Sequence, residues 1–181
     1  MPSFAERLDD YLVRYLAYFN YRNYVSRIKL QGNEKVLEVG CGGGNLSIFL
    51  AEKLPQGKLV CIDISEYWID KSKKRLGNYE NIDFRHGDFL DFNKNNYFDA
   101  IVVHYVLHDI EERKKAIDIM VRSLKDKGRI FIREPIRKNH GMSSEEIKSL
   151  MSKNGFSEQN FKEGYSFPIR GKVYEGVFQA R

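Results

Sequence analysis

Five short apolar runs rich in β-branched residues alternate with stretches of helical spacing almost without a break, and a chain so ordered has few ways to fold. The strand-like runs are Lys35–Gly40, Lys58–Ile64, Ile82–His86, Phe98–His104 and Arg129–Glu134. Helical periodicity separates them. Leu46, Phe49, Leu50 and Leu54 mark one helix, stopped before Pro55; Trp68, Ile69 and Leu76 mark a second, opened by Ser65 and ended at Gly77; Ile110, Ile117, Met120, Val121 and Leu124 mark a third, ended near Gly128. Ser143-Ser144-Glu145-Glu146 reads as a capping box for a further helix through Leu150 to Gly155. Parallel strands need crossovers, and helices are the usual ones, so the alternation predicts a mainly parallel sheet covered on both faces. The tail, Phe156–Arg181, lacks helical period and reads as two antiparallel strands joined around Pro168–Gly171. At the other end Phe4–Ile28 reads as one amphipathic helix. The expectation is a single α/β domain over residues 1–181: a Rossmann-like, doubly wound sheet of seven strands, the last antiparallel.

The first crossover carries the sharpest chemical signal, Glu38-Val39-Gly40-Cys41-Gly42-Gly43-Gly44-Asn45. Open parallel sheets bind ligands off the carboxyl ends of their strands, where strand order reverses. Glycines there permit the tight turn and leave backbone bare for a ligand, and the following helix start offers free N–H groups. A dinucleotide fingerprint, G-x-G-x-x-G, fits poorly, because Asn45 stands where the third glycine should allow close helix–strand packing. Glu38 sits badly beside a pyrophosphate and suits a ligand with a cationic end. No phosphate-cradling G-x-x-x-x-G-K-[ST] occurs.

The segment Glu38–Gly44 resembles the E/D-x-G-x-G-x-G motif of class I S-adenosylmethionine-dependent methyltransferases, and the resemblance extends in register. Val60-Cys61-Ile62-Asp63-Ile64-Ser65 is similar to the second-strand motif, Gly87-Asp88-Phe89 to the third, Phe98–His104 to the fourth, and Leu124–Ile132 to the stretch entering the fifth strand. It covers residues 33–181 and points to the ubiquinone/menaquinone-type small-molecule branch. The resemblance implies S-adenosylmethionine as cofactor, with S-adenosylhomocysteine as product. It assigns Glu38, Gly40, Cys41, Gly42 and Gly44 to the glycine turn, Asp63 to the ribose hydroxyls, and Asp88 to the adenine amine. Ile64 and Phe89 would sandwich the adenine, and His104 would stand near the cofactor, where a hydrogen-bonded side chain is the plainer alternative to a base. Independently, a carboxylate about 20 residues past such glycines suits a ribose.

Methyl transfer from a sulfonium asks chiefly for alignment and exclusion of water, and a base helps when the acceptor must lose a proton. His104, at the end of the fourth strand, and His108, one turn on, are the candidate catalytic residues. Their i, i+4 spacing could suit a metal, but no third ligand is evident, so no metal is expected. Glu134, ending the fifth strand, is a candidate for the acceptor side, with an ion pair to Arg133 or Arg137 as the plainer alternative. The fourth strand ends His104-Tyr105-Val106 rather than in the N/D-P-P-Y/F of enzymes that methylate amide or exocyclic nitrogens, and neither Cys41 nor Cys61 is placed as a catalytic thiol.

The core accounts for most of the chain, which favours a small-molecule acceptor. Net charge is +5, and residues 121–181 carry 13 basic against 7 acidic side chains, so nucleic acid is the alternative partner; a cofactor-binding protein without transfer activity is another. Tyr11, Tyr15 and Tyr18 form one stripe at i, i+4, i+7, and phenols with apolar faces and polar tips suit a ligand lid, so residues 1–30 are expected to close over the site. No apolar run approaches the roughly 18 residues of a membrane span. With only two cysteines and four charges within the first ten residues, the cytoplasm is the expected compartment, for a monomer or homodimer.

Overall fold

The structure, a computed structural model, describes residues 18–137, 141–166 and 171–180. Seven strands form one sheet in the order β3-β2-β1-β4-β5-β7-β6. They are β1 (Lys35–Val39), β2 (Lys58–Asp63), β3 (Ile82–His86), β4 (Phe98–His104), β5 (Leu124–Pro135), β6 (Phe156–Ser166) and β7 (Gly171–Ala180). Pairing is parallel from β3 through to β5, whereas β7 runs antiparallel to both β5 and β6. The sheet and its reversed last strand are as the alternation predicts. Helices α1 (Tyr18–Arg27), α2 (Ser47–Glu52), α3 (Glu66–Leu76), α4 (Arg113–Ser123) and α5 (Ser144–Lys153) complete it.

The period-two alternation of each strand sorts its residues between two cores. Leu37, Val60, Ile101 and Ile130 face one way, against α4 and α5 through Ile117, Met120, Ile147 and Met151. Val36, Leu59, Ala100 and Phe131 face the other, against α1, α2 and α3 through Tyr24, Leu50 and Ile69. The same alternation places Glu38, His104 and Arg133 on the α1–α3 face and Glu134 on the α4–α5 face. Strand order reverses between β1 and β4, so the cleft the topology creates lies off the ends of those two strands.

Three boundaries differ from the sequence reading. The third helix begins at Arg113, because residues Leu107–Asp109 form a separate 3-10 turn. It also stops at Ser123, and β5 begins at Leu124, opposite Phe98 across an irregular register, rather than at Arg129. Lys125 is drawn into this edge by an ion pair with Asp99 at 2.7 Å. Ser65 holds the N-cap position of α3 without a side-chain cap bond, whereas the Ser143–Glu146 capping box forms as read. Helix α1 is packed on the sheet, with Tyr21, Tyr24 and Val25 buried; Tyr11 and Tyr15 lie outside the described residues. No helix among the described residues is long and apolar enough to cross a membrane.

Candidate active site

Off the carboxyl ends of β1 and β4 opens a cleft of about 970 Å³. Its floor is the glycine turn. Gly40 and Cys41 donate their backbone N–H groups to the Ile62 carbonyl at 2.8 and 3.2 Å, tying the turn to β2. Gly40, Gly42 and Gly44 all adopt positive φ, at +67°, +51° and +75°. A Cβ on Gly40 would fall 2.5 Å from a methyl of Val106, and one on Gly44 2.9 Å from Leu76. A Cβ on Gly42 meets nothing within 4 Å. That turn is therefore closed on its protein side and bare on its cleft side. Ser72, from α3, donates to the Gly42 carbonyl at 2.7 Å and fixes it from behind.

Asp63, at the tip of β2, faces this turn. Its Oδ2 accepts from the Gly42 N–H at 2.8 Å and its Oδ1 from the Ser65 N–H at 2.9 Å. Two backbone donors fix the carboxylate, and each oxygen keeps a second lone pair for a ligand hydroxyl. Beside it Ile64 stands 69% exposed, an apolar face turned largely outward, and Phe89 lines the same cleft while remaining buried. Asp88 also lines it, with Oδ1 accepting from Leu90 N–H at 2.8 Å to cap the turn that follows. Trp68 completes this end.

Glu38 lies beneath the turn, 2% exposed. The Ser47 hydroxyl donates to its Oε2 at 2.6 Å, and the Cys61 thiol approaches the same oxygen at 3.5 Å. Burial raises its pKa to about 7; Ser47 and Cys61 oppose the rise and the charge of Asp63 adds to it. Burial likewise raises the Cys61 thiol well above its ordinary value, which removes it as a thiolate nucleophile.

The other end of the cleft is aromatic. His104 packs against Tyr105 at 4.0 Å, Tyr21 at 5.1 Å and Tyr24 at 5.4 Å between ring centroids. Tyr21, His104 and Tyr105 line the cleft. Tyr105 has φ +59°, which a non-glycine residue rarely adopts, and its hydroxyl donates to Ser166 at 2.9 Å. Behind this wall the buried guanidinium of Arg133 donates to Asn20 at 2.6 Å, lies 3.1 Å from Glu175, and stacks on Tyr24 and Tyr105.

Most of the cofactor residues read from sequence thus converge: Glu38, Gly40, Cys41, Gly42, Asp63, Ile64, Asp88, Phe89 and His104 line one space, whereas Gly44 is absent from the lining and faces Leu76 and Ser72 instead. Three acceptor-side readings need correction. Tyr18 packs edge-on against Phe49 at 5.0 Å and is absent from the lining, where Tyr21, packed on His104, stands instead. His108 turns inward, its Nδ1 2.6 Å from Glu134. Glu134 is fully buried and does not reach the cleft, nor does it pair with Arg133, since alternation along β5 puts the two on opposite faces. What sequence reasoning missed is Tyr21, set by how α1 packs on the sheet, and Tyr105 with the rim Asp109–Glu112, which follow a left-handed backbone at Tyr105 that no motif announces. Among the described residues no cluster of His, Cys, Asp and Glu could hold a metal.

Residues 30–171 match the family described as a methyltransferase domain. An uncharacterized methyltransferase of Staphylococcus carnosus is 30% identical over 134 residues, 72% of this chain and 61% of its own. The ubiquinone/menaquinone biosynthesis C-methyltransferase of Francisella philomiragia is 28% identical over 155 residues, 82% of this chain and 57% of its own. The chain therefore spans about three-fifths of the length of these curated relatives. Among solved structures, the N-methyltransferase NodS of Bradyrhizobium japonicum, in complex with S-adenosylhomocysteine, superposes with a TM-score of 0.79 at 21% identity, covering 95% of this chain and 92% of that one. The [4+2]-cyclase SpnF superposes with a TM-score of 0.77 at 15% identity, covering 89% and 80%. The two neighbours share the fold and differ in named chemistry, so the fold alone does not choose the reaction.

Proposed function

We propose, from the premise that this chain belongs to the methyltransferase-domain family, that it transfers a methyl group from S-adenosylmethionine to a small organic acceptor held in the cleft. The cofactor fits the residues present. Asp63 offers fixed lone pairs for two ribose hydroxyls, Gly42 leaves room for close backbone approach, and Ile64 presents an exposed apolar face for the adenine. Glu38 sits where a cationic end of the ligand would come. When bound, the cofactor supplies an electrophilic methyl on a sulfonium. The protein's part is to align the acceptor with that methyl and keep water out. Tyr21 and Tyr105 give the acceptor apolar walls, and His104, between them, is placed to receive a proton the acceptor loses.

One observation carries the choice of a small acceptor over RNA. The chain is net basic, yet the described lining contains no lysine or arginine, and its Asp and Glu side chains are Glu38, Asp63, Asp88, Asp109, Glu111 and Glu112. A phosphodiester backbone entering such a cleft would meet like charge and gain no counterion release from it. The test is transfer of labelled methyl from S-adenosylmethionine in the presence of a deproteinised cell extract separated into low-molecular-weight and RNA fractions. Label in the low-molecular-weight fraction is expected. Label in RNA, lost with ribonuclease treatment, would overturn the reading, and cofactor binding with label in neither would favour a binding protein without transfer.

A further inference from the structure

Glu134 is a buried carboxylate whose place in the molecule calls for a role. Its side chain is wholly removed from water at the end of β5, on the α4–α5 face. A carboxylate is kept in such a place only where donors meet it. Here they come from three consecutive residues: Oε1 accepts from the N–H groups of Val106 at 2.9 Å and Leu107 at 2.7 Å, and Oε2 lies 2.6 Å from Nδ1 of His108. Arg113 closes the other side of the same loop, donating to the carbonyls of His108 at 2.8 Å and Leu107 at 3.2 Å.

The loop so held is the one that shapes both halves of the cleft. It begins at Tyr105, in the left-handed region, a conformation that persists only when its surroundings over-determine it. It continues through Val106, whose methyl groups occupy the space a Cβ on Gly40 would need, and so buttresses the glycine turn. We infer that Glu134 is a positioning residue of the cleft: its carboxylate holds residues 106–108 so that Val106 supports the cofactor turn and Tyr105 with His104 faces the acceptor. The inference rests on reading the cleft as the cofactor site.

The test compares Glu134→Ala and Glu134→Gln with the wild-type protein in two readouts. Hydrogen exchange without ligand reports the amides of Val106 and Leu107. Glu134→Ala is expected to expose both by about tenfold or more, the loss of hydrogen bonds to a charged acceptor, while the amides of β1 and β2 keep their protection. Glu134→Gln retains an amide oxygen for the two N–H groups and is expected to restore most of it. Calorimetric titration with S-adenosylhomocysteine is expected to show Kd raised about tenfold in Glu134→Ala and about threefold or less in Glu134→Gln. Met151→Ala, which cuts the same core away from the cleft, is the control: it lowers Tm and leaves that Kd unchanged. Unchanged amide protection, wild-type affinity in Glu134→Ala, no recovery by glutamine, or equal weakening in Met151→Ala would each overturn the inference. A wild-type protein that takes up no S-adenosylhomocysteine would instead refute the cofactor reading, and the ligand-free exchange would still decide whether Glu134 holds the loop.

Discussion

Glu38 offers the sharpest quantitative consequence of this architecture. It is 2% exposed, and burial lifts its pKa from the ordinary 4.5 to about 7. The folded protein therefore holds this proton more tightly than the unfolded chain does. Stability is fully present below the unfolded value near 4.5, falls as pH rises, and levels off above about 7. At 1.36 kcal/mol per pKa unit, the loss across that window is about 3 kcal/mol. Glu38→Gln is neutral throughout and keeps an oxygen for the Ser47 hydroxyl, so it removes the titration while preserving the hydrogen bond. Urea unfolding of both proteins from pH 5 to 8 is the assay. The glutamine variant should gain on wild type steadily up to about pH 7, by roughly 2–3 kcal/mol, and then run parallel to it. Curves that stay parallel from pH 5 would refute the buried-acid account. Cofactor affinity has the opposite pH dependence: a cationic group seated beside Glu38 favours its ionised form, so affinity rises with pH to about 7 in wild type and not in Glu38→Gln.

Three further outcomes follow from the same geometry. Gly42→Val should fold, at a cost of about 1–2 kcal/mol for a side chain at φ +51°, yet fail to bind S-adenosylhomocysteine in calorimetry, because its Cβ enters the open side of the turn. His104→Gln should leave S-adenosylhomocysteine binding within about threefold and lower turnover by about 10²-fold or more if the acceptor must lose a proton, as read by release of S-adenosylhomocysteine. Deleting residues 1–26 should lower Tm sharply in a thermal melt, since it strips buried Tyr21, Tyr24 and Val25 from the core, at about 2–5 kcal/mol for each large side chain.

The cofactor half of the site was legible in the chain because its determinants are local. A glycine turn after a buried strand, and an acid at the end of the next strand, are set by sequence spacing alone, and Gly40–Gly42 and Asp63 stand together as read. The acceptor half depends on which way side chains turn after the strands end. Along β5 the alternation that buries Phe131 with Arg133 sends Glu134 to the opposite face, and a single-residue difference in register would have reversed both. The start of β5 was hidden for a related reason: Leu124–Gly128 has helical composition, but the contact of Lys125 with Asp99 and the pairing of Leu124 with Phe98 draw it into the sheet. His108 kept its place one turn from His104 in sequence, yet the left-handed step at Tyr105 separates the two in space, one to the cleft and one to Glu134.

In the reading proposed above, Asp63 grips the ribose of a cationic cofactor seated in this cleft. Calorimetric titration of S-adenosylhomocysteine into wild type and Asp63→Ala tests it most directly. One site per chain is expected in wild type, not displaced by an equal concentration of NAD, with affinity lowered at least about tenfold in the variant through loss of charge-assisted hydrogen bonds. Absence of binding by wild type, or equal affinity in Asp63→Ala, would contradict it.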